Sequence, residues 1–498
     1  MQHATVTLDP AFTIAPVRRR TFGSFVEHLG RCVYTGIYEP GHPTADPDGF
    51  RQDVLELTRE LGVSMVRYPG GNFVSGYRWE DGVGPRASRK KRPDLAWHTI
   101  ETNQFGTDEF LRWCGRAGVE PMMAVNLGTR GVAEAVDLLE YTNHPGGTHF
   151  SDLRALHGTP KPYDVKLWCL GNELDGPWQV GFKTAHEYGR LAAQTARAMR
   201  MLNPDLTFVA VGSSGSAMPE FGAWEAEVLA ETYEEVDMIS AHAYYEEVDG
   251  DLGSFLASNL DMEHVIRAVT ATADHIGARL KSSRRINISF DEWNVWYLSR
   301  FQNQPPITSW ETAPRQLEDI YSVADAVVVG SLLISLLRHS DRVEAACQAQ
   351  LANVIGPIFT EPGGRAWRQT IFHPFAQASA LARGAVLHTA VSSPVYETRK
   401  HGDAPLIDAV ATHSPSGEVA LFLVNRSIDE PVRVTVDTRA FGRELRIGDA
   451  TVLADDDVYA VNTADAPDRV APHPHPGVTA GSLEVVLPPV SWNVLTLH

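Results

Sequence analysis

The pattern that most constrains the fold recurs eight times between Phe22 and Asn353. Each unit has a short apolar run, a polar or glycine-rich turn, and then a stretch with apolar residues three and four positions apart. This order is typical of βα units, in which an amphipathic helix follows each strand and covers it. The apolar runs end in VEH, RYPGGN, VNLG, LGNE, VGSS, AHAYY, DEWN and ACQAQ, and the clearest helical spacing lies in residues 49–62, 185–202 and 262–280.

Eight βα units predict a closed (β/α)8 TIM barrel, an α/β fold that we place at residues 18–384. The alternative is an open, doubly wound sheet, which binds its ligand at one switch point, often through a glycine-rich turn. The chain has no GxGxxG or P-loop sequence, and polar residues follow all the candidate strands. The closed barrel is therefore favoured.

After about Gly384 the helical spacing disappears, and segments such as VALFLVNRS and VRVTVDT alternate with turn residues. This pattern predicts an all-β module, which we describe as a jelly-roll-like sandwich. The N-terminal ATVTLDPAFTIAP has the same character, so residues 1–17 and 385–498 are assigned to this second domain. Residues 455–477 are predicted to form a long surface loop in which His473 and His475 bind no metal, because no third ligand is nearby.

Charge and hydropathy exclude several classes of partner. The chain has 62 acidic and 43 basic residues and a formal charge of −19, which repels nucleic acid and anionic membranes. The longest apolar run, Ala326–Leu337, is shorter than the ~20 residues that cross a bilayer, so it predicts a buried helix. The N-terminus has no secretory signal pattern and the four cysteines form no CxxC pair, which together predict a cytoplasmic protein with reduced thiols.

Two carboxylates lie where a barrel carries its catalytic groups, at the C-terminal ends of strands. Glu173 follows WCLGN at the end of the fourth candidate strand, and Glu292 follows ISFD at the end of the seventh, each beside aromatic residues. Two carboxylates flanking one bond are the minimum machinery of glycoside hydrolysis. The chain has no GxSxG elbow and no HExxH helix, so the remaining alternative at these positions is a structural ion-pair network.

Longer motifs resemble a known family. GNE and SFDEWNVWY are similar to the glycosidase clan whose acid/base and nucleophile follow barrel strands four and seven. The motifs that resemble glycoside hydrolase family 51, the α-L-arabinofuranosidases, are FGSFVEHLGRCVYTGIYEPGH, VRYPGGNFVSGYRWEDGVGP, MAVNLGTRG, WCLGNELDGPWQ, DEWNVWY, AQLANVIGPI and SWNVLTL. The resemblance covers essentially the whole chain. It implies retaining, exo-acting release of terminal α-L-arabinofuranosyl groups from arabinan, arabinoxylan and arabino-oligosaccharides, without metal or cofactor, by a homo-oligomer, often a hexamer.

Carried over position by position, the resemblance implies that Glu173 is the general acid/base and Glu292 the nucleophile. Asn172 would hold the sugar 2-hydroxyl, an interaction that strengthens in the transition state. The other substrate-binding residues that it implies are Glu27, Arg67, Asn72, Tyr244, Gln350, Trp97 and Trp296. Arg67 is expected to orient the Glu292 carboxylate, and Tyr244 to donate a hydrogen bond to it.

Simpler interpretations of these residues stay open. Arg67 can be part of a structural ion pair, with Glu27 as its buried partner and no sugar contact. Gln350 can satisfy only backbone groups under the barrel rim, and the two tryptophans can be packing residues. We interpret His28 and His242 as histidines with satisfied hydrogen bonds, not as ligands or bases.

Three other functions remain compatible with the sequence. Another glycosidase of the same clan, such as a β-xylosidase or an endo-glucanase, would share both glutamates because barrel loops determine substrate choice. A non-catalytic carbohydrate-binding protein would not need the intact glutamate pair. A transglycosylase would differ only in how well its acceptor site excludes water.

Overall fold

The computed structural model describes residues 1–305, 307–478 and 482–498. Eight parallel strands close into a barrel in chain order, with strand 1 between strands 2 and 8. Barrel strands 1 to 8 are Gly23–Phe25, Met65–Tyr68, Glu120–Ala124, Leu167–Cys169, Thr207–Ala210, Met238–Tyr245, Asn287–Val295 and Val343–Gln348. The predicted (β/α)8 barrel is confirmed, and the open doubly wound sheet is excluded.

Helices surround the barrel where the apolar spacing predicts them. The α-helices are Gln52–Leu61, Thr107–Ala117, Val132–Asn143, His149–Leu156, Ala185–Leu202, Ala223–Thr232, Leu252–Leu256, Asn259–Leu280, Leu298–Gln302, Val323–Arg338 and Phe372–Leu381. Short 3-10 helices are Arg19–Phe22, Asn72–Gly76, Trp79–Gly82, Arg86–Ser88 and Arg439–Phe441. The helices predicted in 49–62, 185–202 and 262–280 are confirmed.

The C-terminal part of the chain is an all-β domain of two main sheets, as predicted. The larger sheet contains, in spatial order, Thr13–Pro16, Ala385–Leu387, Ile407–His413, Val419–Asn425, Ser491–Leu497, Ile447–Leu453 and His473–Pro474. The smaller sheet contains Ala390–Ser392, Gln2–Thr7, Val432–Asp437 and Glu484–Leu487. Two-stranded sheets pair Arg92–Asp94 with Thr99–Glu101, Ile358–Thr360 with Ala366–Arg368, and Val395–Thr398 with Gly402–Pro405.

The N-terminal segment contributes one strand to each main sheet. Gln2–Thr7 pairs in parallel with Val432–Asp437, and Thr13–Pro16 pairs antiparallel with Ala385–Leu387. The proposed domain boundaries, at residues 17/18 and 384/385, stay a prediction. Within 455–477 the structure has only the two-residue strand at His473, and the nearby His475 donates from Nε2 to Asn493 Oδ1 at 3.1 Å.

The apolar helix Val323–Arg338 joins the two parts of the molecule. Every residue from Val323 to Leu337 is buried, because the helix packs against other helices on the barrel side and against the larger sheet on the other. A helix that is apolar all round needs such cover on every side. The predicted buried helix is confirmed, and among the residues that the structure describes no helix is long and apolar enough to span a bilayer.

Gly330 is where this helix meets the sandwich most closely. A Cβ atom there would lie 2.3 Å from the Trp492 indole, whose Nε1 also donates to Gln377 Oε1 at 2.9 Å. We therefore expect Gly330→Ala to lower the free energy of unfolding by about 1–3 kcal/mol, the usual effect of overpacking. Urea unfolding monitored by tryptophan fluorescence measures the change.

The matched control is Gly115→Ala, at an exposed position in the last turn of the helix Thr107–Ala117. A Cβ atom at Gly115 would meet nothing within 4 Å, so alanine should stabilise that helix by about 0.5–1 kcal/mol. If Gly330→Ala were also neutral or stabilising, the contact with the sandwich would not be tightly packed.

Candidate active site

Glu173 lies in a sharp turn directly after barrel strand 4. Gly171 and Glu173 both adopt the left-handed backbone region, with φ of 100° and 44°, and in a residue with a side chain this costs on the order of 1 kcal/mol. The turn directs the buried Glu173 carboxyl toward strand 6, where Oε1 lies 2.9 Å from His242 Nδ1. Oε2 accepts a hydrogen bond from Trp178 Nε1 at 3.0 Å.

Glu292 is held by two donors, one from strand 2 and one from strand 6. Its Oε1 accepts from Arg67 Nη1 at 2.7 Å, and its Oε2 accepts from the Tyr244 hydroxyl at 2.8 Å. Arg67 also donates from Nη2 to Asn172 Oδ1 at 2.7 Å. Charge-assisted bonds of this length fix the orientation of a carboxylate. The geometry therefore matches the orienting roles expected of Arg67 and Tyr244, although it does not test them.

One detail of the seventh strand was predicted wrongly. The sequence placed the end of the strand at Glu292, whereas the strand continues to Val295. Strand 6 is also long and reaches Tyr245, and it pairs with strand 7 from His242↔Glu292 to Tyr245↔Val295, so the ladder continues past Glu292. Glu292 is thus fixed by backbone hydrogen bonds on a strand, which holds it more rigidly than a loop would.

His242 lies between two carboxylates. Its Nδ1 is 2.9 Å from Glu173 Oε1 and its Nε2 is 3.0 Å from Asp291 Oδ1. Burial lowers the pKa of His242, but the charges of Glu292, Asp291 and Glu173 outweigh burial and raise it to about 10. Both ring nitrogens have partners, in agreement with the interpretation of His242 as hydrogen-bonded. His28 is bonded similarly, to Glu101 and the Tyr68 hydroxyl.

Glu27 forms another wall of the site. Its Oε1 accepts from Trp97 Nε1 at 2.8 Å and from the Phe73 backbone at 2.9 Å, and its Oε2 accepts from Gln350 Nε2 at 3.1 Å. Burial raises the pKa of Glu27 to about 8, so the group is mainly protonated at neutral pH. Gln350 Oε1 is buried without a partner.

These contacts correct two of the simpler interpretations. Arg67 pairs with Glu292 and lies 3.9 Å from Asp291, so Glu27 is not its salt-bridge partner. Gln350 donates to a side chain, Glu27, and not to backbone groups. The arginine of strand 2 thus pairs with the carboxylates of strand 7 and not with Glu27, which follows strand 1.

Asn72 is fixed by a residue that sequence reasoning missed. Gln179 donates from Nε2 to Asn72 Oδ1 and accepts from the Ser75 hydroxyl at 2.7 Å. Asn172 Nδ2 also approaches Asn72 Oδ1, at 3.4 Å. Gln179 and Asp291 both lie inside quoted motifs, WCLGNELDGPWQ and DEWNVWY, and that was the one available signal for them.

The two candidate tryptophans differ in their contacts. Trp97 donates to Glu27 and is therefore part of the wall of the site. Trp296 packs edge-on against Tyr244, with ring centroids 5.1 Å apart, and is partly exposed. Packing alone does not explain the polar contact of Trp97, whereas it does explain the position of Trp296.

The site is better suited to proton transfer than to metal binding. Oxygen and nitrogen atoms of Glu173, His242 and Glu292 lie within 4.8 Å of one another, and no other such set occurs among the described residues. Both nitrogens of His242 face carboxylates, however, and Glu292 is already bound by Arg67. A metal would have to displace these partners.

Two buried carboxylates on strands 4 and 7 of a (β/α)8 barrel, surrounded by amide and hydroxyl groups, define the class of the protein as a glycoside hydrolase. The comparisons with known proteins give the family. Models of the α-L-arabinofuranosidase 1 domain and the α-L-arabinofuranosidase C-terminal domain match residues 57–260 and 291–491.

Individual relatives agree over the whole chain. An intracellular exo-α-(1→5)-L-arabinofuranosidase of Streptomyces lividans is 60% identical over 99% of this chain and 75% of its own length. An exo-α-(1→6)-L-arabinofuranosidase of Bifidobacterium longum is 52% identical, over 99% and 97%. The solved structure of a family 51 enzyme of B. longum superposes with a TM-score of 0.94 at 48% identity, over 100% of both chains. The chain therefore belongs to glycoside hydrolase family 51 and is a hydrolase that removes terminal arabinofuranosyl residues.

Proposed function

We propose that the enzyme retains anomeric configuration and acts by double displacement, with Glu292 as nucleophile and Glu173 as general acid/base. The observation that carries the proposal is the separation of these two side chains. A carboxylate oxygen of Glu173 and one of Glu292 lie within 4.8 Å of each other. Retaining enzymes have carboxyl groups ~5–5.5 Å apart, whereas inverting enzymes need ~6.5–9.5 Å to hold a water between them.

In the first step, Glu292 attacks the anomeric carbon while Glu173 gives its proton to the departing oxygen. The bond from the sugar to the leaving group breaks, and an arabinofuranosyl ester of Glu292 forms. Arg67 and Tyr244 each donate to one oxygen of Glu292, and each oxygen keeps a second lone pair with which it can attack.

In the second step, the ionised Glu173 takes a proton from water, and the water oxygen attacks the anomeric carbon. The ester bond breaks, Glu292 becomes a carboxylate again, and Glu173 is again protonated. Two inversions at the same carbon give net retention.

The remaining side chains are proposed to bind the arabinofuranosyl ring. Asn172 lies beside Glu173 and would hold the 2-hydroxyl, while the free Oε1 of Gln350 is a buried acceptor for a sugar hydroxyl. Glu27 and Asn72 would bind other ring hydroxyls, and Arg67 and Tyr244 act mainly through Glu292. Trp97 and Trp296 are proposed to contact the sugar or the group attached to it.

We further propose terminal groups of arabinan, arabinoxylan and arabino-oligosaccharides as substrates. The names of the relatives given above differ in linkage, 1→5 in one and 1→6 in the other, so both linkages belong in any substrate panel. The Streptomyces relative is described as intracellular, which supports a cytoplasmic location and short oligosaccharides as substrates. The family resemblance supports a homo-oligomer, in particular a hexamer.

The test is hydrolysis of an aryl α-L-arabinofuranoside by Glu173→Ala with and without azide. We expect slow turnover that azide accelerates, with an arabinofuranosyl azide of the substrate's own α configuration as product. NMR of the product determines the configuration.

The matched variant is Glu292→Ala, for which azide should replace the nucleophile and give the inverted β-azide. An α-azide from Glu292→Ala, or a β-azide from Glu173→Ala, would show that the two roles are exchanged. Free arabinose released from wild type with inverted configuration would refute double displacement.

A further inference from the structure

The imidazole of His242 joins the proposed acid/base to a third buried carboxylate. Glu173 and Asp291 approach its two nitrogens at 2.9 and 3.0 Å, and all three side chains are buried. An ionised carboxylate can only accept hydrogen bonds. When both carboxylates are ionised, both nitrogens must therefore donate, and His242 is the imidazolium cation.

We propose that His242, held by Asp291, is a positioning residue that keeps a positive charge beside Glu173 through both steps of the reaction. The proposal rests on the proposed role of Glu173 as acid/base. His242 touches no substrate in this scheme and acts only through Glu173.

The charges of the buried cluster explain why such a cation is useful. Before the reaction the cluster contains the cations Arg67 and His242 and the anions Asp291 and Glu292, while Glu173 carries its proton. In the ester intermediate Glu292 is neutral and Glu173 is ionised, so the anion has moved but the number of charges is unchanged. The cluster is neutral in both states only when His242 is charged. Since net charge is costly in a buried site, the charged form of His242 is favoured.

The other groups that face the imidazole do not remove the need for this cation. Asp175, in the loop after strand 4, accepts hydrogen bonds from the Ser214 backbone and hydroxyl, and an ionised Asp175 adds an anion that further favours a charged His242. Cys169, on strand 4, lies 3.7 Å from Asp291, and burial raises the pKa of its thiol to about 12, so it stays neutral. The raised pKa of His242 agrees with a charge that persists through neutral pH.

The experiment is to measure kcat/KM of His242→Gln with aryl α-L-arabinofuranosides that span a range of leaving-group acidity, and with an arabino-oligosaccharide. Glutamine can still donate to Glu173 but carries no charge. A well-placed general acid contributes ~10²–10⁴-fold, and only when the leaving group needs a proton. We expect a loss of about 10–100-fold on the oligosaccharide and of less than about 3-fold on a dinitrophenyl substrate.

The pH profile gives a second readout. A neighbouring cation favours the ionised form of a carboxylate, so its removal should shift the high-pH fall of kcat/KM in His242→Gln upward. Asp291→Asn keeps the shape of the site but removes the counterion. His242 should then lose its proton at lower pH, and the loss on the oligosaccharide should grow between pH 6 and pH 8.

The matched control is His28→Gln, which removes another buried imidazole with both nitrogens bonded. It should leave the dependence on the leaving group and the high-pH limb as in wild type. A loss that is equal on all substrates in both His242→Gln and Asp291→Asn, with an unshifted pH profile, would show a purely structural role and overturn the proposal. Azide rescue of Glu173→Ala tests the proposed function separately. If azide does not rescue that variant, the role proposed for Glu173 is wrong. If azide does rescue it, but His242→Gln loses activity equally on all substrates, only the inference about His242 is refuted.

Discussion

Glu292→Ala is expected to lower kcat/KM by on the order of 10⁵-fold, because removal of the proposed covalent nucleophile would abolish the first step of the reaction. The loss should be similar for dinitrophenyl arabinofuranoside and for an oligosaccharide, since no leaving group can replace the missing attack on the anomeric carbon. Glu173→Ala should behave differently. Its first step with the dinitrophenyl substrate should remain fast, because that leaving group needs no proton. Steady-state rates on both substrates for both variants measure this contrast.

The control for Glu292→Ala is Glu263→Gln. Glu263 is equally buried but accepts hydrogen bonds from Arg338 and His339, and none of its hydrogen bonds and ion pairs in the described part of the chain involves Glu173 or Glu292. Its loss should lower stability and leave kcat/KM of the folded enzyme within about 3-fold of wild type. If Glu292→Ala retained more than one hundredth of wild-type activity on the oligosaccharide, Glu292 would not be the nucleophile.

The architecture could be predicted because the spacing of apolar residues along each helix and strand follows which of its sides is buried. The barrel helices are apolar on one side only, and the helix Ala185–Leu202 even begins with the Thr184 hydroxyl bonded to the Glu187 backbone. The helix Val323–Arg338 is apolar all round because barrel and sandwich cover it from opposite sides. Strand ends were less predictable: pairing of His242 with Glu292 extends strands 6 and 7 beyond their polar residues.

The site was predictable only as far as residue type and motif allow. Glu173 and Glu292 each follow an apolar run and stand beside aromatic residues, so the sequence alone draws attention to them, and the family motifs then imply their roles. Their partners are fixed by contacts between distant parts of the chain, such as Arg67 with Glu292 and Gln179 with Asn72. No local pattern distinguishes an arginine that binds Glu292 from one that binds Glu27, so the residues alone left both pairings open and only the family resemblance favoured Glu292.

Arg426→Met is expected to lower the free energy of unfolding by about 3–5 kcal/mol, because it removes one of the two guanidinium groups that bind the buried Asp408 and leaves several buried acceptors without a donor. The fully buried guanidinium of Arg426 joins the sandwich to the barrel and to the helix Val323–Arg338. It donates to Leu256 O, Pro405 O, Asn259 Oδ1, Ser331 Oγ and Asp408 Oδ2. Methionine fills similar volume but satisfies none of these acceptors.

Urea unfolding compares Arg426→Met with Arg433→Met, a matched control on the exposed face of the smaller sheet. Arg433 lies 3.3 Å from Glu484 with both side chains about half exposed, so its loss should cost less than about 1 kcal/mol. Asp408→Asn combined with Arg426→Met should recover part of the loss, because an asparagine at 408 carries no charge that needs Arg426. The recovery is only partial, because Arg338 then loses its own ion pair with residue 408. A cost for Arg426→Met as small as that of the control would mean that burial of the ion pair offsets its attraction, and that apolar packing alone holds the sandwich against the barrel.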